Sequence, residues 1–165
     1  MIDYKEACDL FSYDPETGVI TNRVTRHYRA LAGQEAGVIH KGHGYRMIKV
    51  RQQGYLGHRL AWLLQTGEWP EGDIDHADSN RSNNRWTNLR IATPSQNCWN
   101  RGVQKNNTSG IKGVSYDPSA YNKRWLAMVG SGRKRKKKRF ATKEEAATHV
   151  LLMREQLHAD FARHA

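Results

Sequence analysis

The stretch DIDHADSNRSNNRWTNLR, residues 73–90, limits how this chain can fold more than any other part of the sequence. It holds four asparagines, three aspartates and a single histidine, with few apolar residues between them. A segment this polar cannot form a hydrophobic core. It is either a solvated loop, since Asp and Asn side chains commonly bond their own backbone in turns, or a place where oxygen and imidazole ligands converge.

The net charge of +11 is unevenly distributed along the 165 residues. Residues 1–100 carry 12 basic and 11 acidic side chains, whereas residues 101–165 carry 15 basic and 5 acidic ones. So basic a half points to a polyanionic partner, most simply nucleic acid. An anionic membrane is the competing interpretation, but the sequence has no long apolar segment and no basic helix with an apolar face.

The two cysteines, Cys8 and Cys98, have no paired metal-binding spacing, so we expect no zinc site. Isolated thiols suit a reducing compartment better than a disulfide framework. The N-terminal sequence MIDYKEACDLF lacks the basic and apolar regions of a signal peptide, and this predicts a cytoplasmic protein.

Turn signals and changing hydrophobic period give a coarse secondary structure. Residues 1–56 are predicted to form short strands between turns, including one with Ile48 and Val50 on one side. A short helix should follow and stop at Gly67. Two further helix starts are marked by capping boxes, whose members are Thr93 with Gln96 and Thr142 with Glu145.

The polar stretch contains the residue types that phosphodiester hydrolysis needs. A hard cation, held by carboxylate or amide oxygens, neutralises charge on the phosphate, and a base of near-neutral pKa takes a proton from water. Asp75 and His76 supply one of each, and Asn97, in the first turn of the next helix, could supply a second oxygen ligand. Neighbouring residues of a regular strand point to opposite faces, so Asp75 and His76 can share a site only where the strand bends, bulges or ends.

The segment over residues 56–101 resembles the HNH endonuclease family, particularly the phage and intron-encoded homing endonucleases. The signature of that family is an Asp-His pair, a downstream Asn-Leu, and an Asn or His in a helix. Here His76 lies 12 residues before Asn88, and Asn97 follows 9 residues later. The resemblance implies two strands and a helix around one divalent metal, Mg²⁺ or Mn²⁺, in the cytoplasm of a bacterial or phage-infected host cell.

The resemblance also implies a role for each signature residue. Asp75 and Asn97 would bind the metal, His76 would be the general base, and Asn88 would hold the loop between the strands. Asn97 stands where many members have His, which bears on metal preference more than on activity. Asn80, Asn83 and Asn84 are expected in turn or DNA-backbone roles, with Asn84 also a candidate for supporting the site. His58 is a second such candidate, although a structural histidine fits it equally well.

The basic C-terminal half resembles the AP2 DNA-binding domain over about residues 108–162. Matching features are Gly113-Val114, Trp125 with Ala127, and the run from Phe140 to Ala147. The resemblance implies a three-stranded sheet in the DNA major groove with a helix packed behind it. The implied DNA contacts are Lys112, Ser115, Arg124, Trp125, Arg133, Arg135, Lys137 and Arg139.

The run from Arg133 to Arg139 holds seven successive cations. It could simply grip phosphates without sequence preference, and a nuclear localisation signal would look the same. In a strand, only alternate side chains would face DNA. Trp125 could stack on a base, but packing under the sheet is the expected role. In the N-terminal region, Arg46, Lys49 and Arg51 could extend the DNA contact.

The sequence therefore predicts an α+β protein in four parts: a β-rich region over 1–55, an HNH module over 56–101, a linker over 102–110 and an AP2-like domain over 111–165. The predicted function is a metal-dependent DNA endonuclease of the homing type, with double-stranded DNA as partner. One site per chain should nick one strand, and monomer or dimer stays open. The alternatives are a catalytically silent DNA-binding regulator and an RNA-binding protein.

Overall fold

A computed structural model describes residues 1–100, 102–103, 106–131 and 134–158. The chain divides into two units, Met1–Ala92 and Thr93–Ala165. Both mix helices with small antiparallel sheets, so the α+β class is confirmed. None of the helices in these described ranges is long and apolar enough to cross a membrane.

The first unit contains two α-helices and three small sheets. Its elements are α1 (Tyr4–Leu10), β1 (Phe11–Tyr13), β2 (Ile20–Asn22), β3 (Val38–Ile39), β4 (Arg46–Val50), β5 (Gln53–Leu56), α2 (Gly57–Thr66), β6 (Asp73–His76), a short 3₁₀ helix (Trp86–Asn88) and β7 (Leu89–Ala92). The strands pair as β1-β2, β3-β4-β5 and β6-β7, all antiparallel.

Helix α2 provides much of the core of the first unit. Leu60, Ala61 and Leu63 are buried against Phe11 and Ile48 from the strands. The helix ends at Gly67, which has φ of 86° and bonds the Leu63 carbonyl, as the sequence predicted. The N-terminal strands and the polar stretch thus share one core, because Ile74 and Leu89 of β6 and β7 belong to the same cluster; the further members are Ile2, Ala7, Ile20, Ala36, Val50 and Tyr55.

The prediction that residues 1–56 contain only strands is wrong for α1. Asp3 caps this helix by accepting a hydrogen bond from the Glu6 backbone N–H at 2.8 Å, and Ala7 is fully buried. Seven residues are too few for a clear hydrophobic period, so packing rather than pattern stabilises the helix. In β4 the predicted alternation is confirmed, since Ile48 and Val50 are buried whereas Lys49 is exposed.

The second unit is a three-stranded antiparallel sheet with a long helix. Its elements are α3 (Pro94–Trp99), β8 (Val114–Tyr116), β9 (Trp125–Ser131), β10 (Lys134–Phe140) and α4 (Lys143–His158), with the strands in the order β10-β9-β8. Both predicted capping boxes form. Thr93 and Gln96 bond each other's backbone N–H at 2.8 and 3.3 Å, and Thr142 and Glu145 do so at 3.4 and 3.2 Å.

One face of this sheet packs on α4. Val114, Ala127 and Val129 from the strands are buried with Ala146 and Val150 of the helix. Arg154, 4% exposed, reaches from α4 to donate a hydrogen bond to the Lys112 carbonyl at 2.7 Å. The opposite face of the sheet is left without a covering helix in the described part of this unit.

Candidate active site and basic face

The Asp-His pair lies at the end of β6. Asp75 pairs with Arg90 and His76 pairs with Leu89 of β7. Because the strand is regular, the two side chains leave it on opposite faces. The strand ends at His76, and the chain turns at once, with the Ser79 backbone N–H bonded to the His76 carbonyl at 2.8 Å. A strand end is one of the conditions under which neighbouring side chains can serve one site.

Asp75 is 4% exposed, and its carboxylate forms an ion pair with the Arg90 side chain. Arg90 donates from Nε at 3.0 Å and from Nη2 at 2.8 Å, both to Oδ2 of the carboxylate. Since the two residues are directly opposite in the β6-β7 ribbon, the strand register brings them together. The predicted metal ligand is therefore already part of a buried ion pair.

His76 is buried, and its imidazole is held in place from the following loop. Its Nε2 lies 3.2 Å from Oδ1 of Asn84, which is itself 2% exposed. Burial lowers the pKa of His76, and the hydrogen bond with Asn84 partly opposes that shift. A base must be neutral to accept a proton, so burial keeps this imidazole in its reactive form at neutral pH.

His58, near the start of α2, packs against His76. The ring centroids are 5.0 Å apart in an edge-to-face arrangement, and Tyr45 contacts both rings at 4.9 and 5.8 Å. His58 is 5% exposed, and its Nδ1 has no hydrogen-bond partner among the described residues. Burial, then the charges of His76 and Arg59, lowers the pKa of His58 to about 3. The structure therefore brings this candidate support residue to the predicted base.

Asn88 organises the loop between β6 and β7. Its Oδ1 accepts a hydrogen bond from the Asp78 backbone N–H at 2.9 Å, and its Nδ2 donates to Oδ1 of Asp78 and to the Asn83 carbonyl at 3.0 and 2.8 Å. Asp78 also accepts from the Asn83 amide and the Asn80 backbone N–H. These bonds outweigh partial burial and hold the pKa of Asp78 below its usual value.

The N-terminal hairpin supports this loop from outside the predicted motif. The Tyr13 hydroxyl donates to the Asn84 carbonyl at 2.8 Å, and the Trp86 backbone N–H donates to the Pro15 carbonyl at 2.9 Å. Gly18 approaches so closely that a Cβ there would lie 2.4 Å from the Arg85 backbone nitrogen. The hairpin of residues 11–22 therefore helps to fix the residue that holds His76.

Asn97, the other predicted metal ligand, lies in α3 of the second unit and is half-buried. Its role stays a prediction. The described residues contain no group of three or more His, Cys, Asp or Glu side chains able to hold a metal ion. Carboxylate and carboxamide oxygens nevertheless suit a hard cation, which fills its shell with water and phosphate oxygens.

The basic side chains of β10 separate onto two faces. Lys136 and Lys138 are opposite Val129 and Ala127, on the face that packs against α4. Arg135, Lys137 and Arg139 are opposite Gly130, Met128 and Leu126, on the other face. All five of these basic residues are exposed. Arg139 forms an ion pair with Asp117 at 2.7 Å. Arg133 lies outside the described residues.

The remaining predicted DNA contacts differ in their surroundings. Ser115 is exposed and pairs with Leu126, which places it on the open face. Arg124 is exposed and donates to the Ala120 carbonyl and the Tyr116 hydroxyl at 3.1 and 3.2 Å. Lys112 is half-buried. Trp125 packs against the core on the α4 side, so the structure gives it the packing role.

In the first unit, two of the three basic residues suggested for DNA contact have acidic partners. Arg46 pairs with Glu35 at 2.7 Å and also donates to the Ala36 and Gly37 carbonyls. Arg51 pairs with Glu6 at 2.9 Å, and Lys49 is exposed. Arg46 thus has a structural role in holding the segment before β3.

Sequence reasoning missed four residues that shape the candidate site: Tyr13, Tyr45, Asp78 and Arg90. Tyr13 and Tyr45 lie in strands or turns whose contacts to the polar loop are distant in sequence. Asp78 had a usable signal, because Asp and Asn residues two to five positions apart commonly bond one another in turns. Arg90 could be found only from the strand register.

Known proteins match this chain at several levels. A family model described as HNH endonuclease matches residues 55–98. Protein 3.8 of Escherichia phage T7 is 36% identical over 107 residues, which are 64% of this chain and 87% of that protein. An uncharacterized HNH endonuclease, L560, of Acanthamoeba polyphaga mimivirus is also 36% identical over 107 residues, which span 54% of its length.

Among solved structures, the HNH homing endonuclease I-HmuI, in a study of DNA binding and cleavage, is 22% identical with a TM-score of 0.43. The match covers 90% of this chain and 82% of that one. The family match falls on the segment that contains Asp75, His76 and Asn88, and the T7 relative is matched over most of its length. Residues 55–98 of this chain therefore belong to the HNH endonuclease family.

Proposed function

We propose that this protein is a divalent-metal-dependent DNA endonuclease of the homing type. It hydrolyses phosphodiester bonds with His76 as the general base. The observation that carries the proposal is the buried His76 imidazole, fixed by Asn84 at the end of β6, immediately after the buried carboxylate of Asp75. Burial of a histidine beside such a network is costly for folding, and it serves catalysis by keeping a neutral base in one orientation.

Each side chain around His76 has a separate role in this proposal. His76 takes the proton from the attacking water. Asn84 sets the ring orientation through its Oδ1, and His58 packs against the edge of the ring. Asn88 keeps the loop that carries Asn84 closed through three hydrogen bonds. His58, Asn84 and Asn88 are positioning residues in this proposal, because they act through His76 and the loop that follows it.

HNH nucleases generally depend on a divalent metal, and here Asp75 and Asn97 are the proposed ligands, with Mg²⁺ or Mn²⁺ as the expected ion. The bound cation would neutralise charge on the phosphate and the leaving oxygen. Arg90 holds Asp75 by its Oδ2 atom and so fixes the direction of the carboxylate. A neutral carboxamide as second ligand would leave the ion more electropositive than a second carboxylate would.

DNA binding is assigned mainly to the second unit. Arg135, Lys137, Arg139 and Ser115 line the open face of the three-stranded sheet, and an AP2-like unit would present such a face to the major groove. Arg124, Lys112 and Arg133 are further proposed phosphate contacts. With one active site per chain, a monomer would nick a single strand, and cutting both would need a dimer or two events.

One observation favours a second candidate, a DNA-binding regulator without catalytic activity. The guanidinium of Arg90 already neutralises Asp75, the proposed metal ligand. If this ion pair excluded the cation, the basic sheet would still bind DNA. The two candidates differ in whether any metal supports cleavage.

Plasmid nicking separates these candidates. Supercoiled plasmids carrying fragments of phage genomic DNA are incubated with the full chain in Mg²⁺, in Mn²⁺ and in EDTA. The endonuclease predicts open-circular product with either metal, none in EDTA, and none with His76→Ala. DNA binding without nicking in both metals supports the regulator, whereas binding to RNA in preference to duplex DNA contradicts both. Asn97→Ala and Asp75→Ala should raise the metal concentration needed for half-maximal nicking.

A further inference from the structure

The turn between β3 and β4 has the sequence HKGHGY, residues 40–45, and it contains no acidic residue. The His40 backbone N–H bonds the Tyr45 carbonyl and the Gly44 backbone N–H bonds the His40 carbonyl, both at 2.8 Å. Gly44 has φ of 76°, which a residue with a side chain rarely adopts. The backbone of the turn is therefore closed and well defined, and both histidines project from it.

The two imidazoles of this turn are stacked on each other. Their centroids are 3.9 Å apart and their planes are within 6° of parallel. Nδ1 of His40 accepts from the Gly42 backbone N–H, and Nδ1 of His43 accepts from the Tyr45 backbone N–H, each at 3.2 Å. A nitrogen that accepts a hydrogen bond carries the lone pair, so in both neutral rings the proton is on Nε2.

This tautomer decides what the pair can bind. Each ring offers an Nε2–H donor and no second lone pair, which suits an anion better than a metal ion. Desolvation, followed by the charges of His40 and Arg81, lowers the pKa of His43, which favours the neutral form of that ring. Two N–H donors on one turn can each bond an oxygen of a phosphate group.

Cationic side chains stand beside these donors. Lys41, between the two histidines, is exposed. Arg81 reaches the turn from the loop after β6, donates from Nη1 to the His43 carbonyl at 2.9 Å, and lies 5.0 Å over the Tyr45 ring. Arg81 is exposed as well. The N–H groups of its guanidinium that do not bond the His43 carbonyl can therefore bind a phosphate.

The turn adjoins the proposed base. His43 contacts Tyr45 with a centroid distance of 5.4 Å, and Tyr45 contacts His76 at 5.8 Å. All of these residues belong to the first unit. If one phosphate of a DNA strand lies at His76, the neighbouring phosphates of that strand would lie along the rings of Tyr45 and His43.

We propose that His40, Lys41, His43 and Arg81 form a phosphate-binding surface for the DNA strand next to the cleaved bond. The proposal rests on the proposed function. The imidazole Nε2–H groups bind phosphate oxygens as neutral donors, which fix the register of the strand, while Lys41 and Arg81 supply the salt-dependent attraction. The surface places the strand against His76 and leaves sequence recognition to other parts of the chain.

The test uses the full chain, a labelled duplex containing a sequence that the wild-type protein nicks in plasmid DNA, and EDTA to prevent cleavage. His40→Asn with His43→Asn keeps an acceptor for the turn N–H groups, since the Asn side chain can bond the residue two positions on, but removes both Nε2 donors. His40→Gln with His43→Gln places an amide near the Nε2 position and so keeps a donor. We expect about tenfold weaker binding for the Asn pair and a change within about twofold for the Gln pair.

His27→Asn is the matched control, because Nδ1 of His27 also accepts from a backbone N–H two residues on, at 3.1 Å, in a different turn. It should bind like wild type. Arg81→Ala should reduce the slope of log affinity against log salt by about 0.9, and it tests the surface even if a histidine pair fails to fold.

The outcomes separate this inference from the proposed function. Unchanged binding by the Asn pair and an unchanged salt slope for Arg81→Ala would overturn the phosphate-binding surface while wild-type nicking stands. Equal losses in the Asn and Gln pairs would also overturn it, because the donors would then not be the cause. A wild-type protein that neither binds nor nicks duplex DNA would overturn the proposed function itself.

Discussion

Arg90 donates two hydrogen bonds to a single oxygen of Asp75, from Nε at 3.0 Å and from Nη2 at 2.8 Å, across the two-stranded ribbon of β6 and β7. The carboxylate side chain is 5% exposed and the arginine side chain 25%. The pair neutralises a buried charge, and it fixes the direction of the carboxylate that we propose as a metal ligand.

Breaking this pair from one side should destabilise the protein. Arg90→Gln leaves the buried Asp75 carboxylate without its cation, and we expect the free energy of unfolding to fall by about 2 kcal/mol. Urea denaturation measures this directly. In the double variant Asp75→Asn with Arg90→Gln much of the loss should be recovered, because no charge is left buried. Strictly additive losses would show that the two residues are not energetically coupled.

His58 should make stability depend on pH. Burial lowers its pKa to about 3 in the folded protein from 6.5, so the unfolded chain takes up a proton that the folded one refuses. Stability is then at its full value above about pH 6.5 and falls as the pH drops towards about 3, by up to about 1.4 kcal/mol per pH unit for this group. The fall is caused by the depressed folded pKa, and burial of His76 acts in the same direction.

A variant that keeps an aromatic ring at position 58 but cannot be protonated tests the role of His58 in this pH dependence. His58→Phe should give a shallower decline in unfolding free energy between about pH 6.5 and about pH 4.5 than the wild type does. Denaturant titrations at several pH values supply the comparison. A decline of unchanged steepness in the Phe variant would mean that other groups cause the acid sensitivity.

Gly18 and Gly33 form a matched pair for testing the hairpin support. Both have positive φ, 76° and 79°, but an added Cβ at Gly18 would lie 2.4 Å from the Arg85 backbone nitrogen, whereas at Gly33 nothing lies within 4 Å. Gly33→Ala should therefore cost only the conformational penalty, about 1 kcal/mol. Gly18→Ala should cost at least about 3 kcal/mol, since the loop backbone must move as well.

The same pair reports on the site. Gly18→Ala displaces the segment that carries Asn84, so plasmid nicking should fall with it, while Gly33→Ala keeps wild-type nicking. Both activities are measured at a temperature where each variant is folded. Normal nicking by folded Gly18→Ala would show that the hairpin does not position the base.

The two faces of β10 should contribute unequally to DNA affinity. Arg135→Gln with Lys137→Gln removes two charges from the open face, and Lys136→Gln with Lys138→Gln removes two from the face on the α4 side. Net charge changes equally in both pairs. The open-face pair should reduce the slope of log affinity against log salt by about 1.8, and the other pair should change it far less. Equal reductions would indicate that the strand acts only as a diffuse positive charge.

Local signals predicted much of this fold, and contacts distant in sequence account for what was missed. Gly67 ends a helix and Thr93 caps one because the controlling bonds span three or four residues. Asp75, His76 and Asn88 could be proposed from the sequence because the HNH signature is compact. Tyr13, by contrast, bonds a carbonyl 71 residues away, and no spacing rule connects those positions.

The sequence did not predict helix α1, and the reason there is the shortness of the helix. Its capping residues Asp3 and Glu6 are visible in the sequence, yet seven residues are too few for a periodic pattern. For two of the three basic residues of the N-terminal region, charge alone could not predict the partner. Arg46 and Arg51 have acidic partners that only the folded chain brings near.

The hydrogen bond from the Tyr13 hydroxyl to the Asn84 carbonyl bears on which residues must be kept when the HNH segment is moved into another protein. A cassette cut at the limits of the family match, residues 55–98, would leave that tyrosine and the Pro15 carbonyl behind. In the recipient protein, the loop after β6 would then lack its hydrogen bonds with Tyr13 and Pro15. Gene fusions that include Tyr13 and Pro15 together with residues 55–98 keep both hydrogen bonds to the loop that carries Asn84.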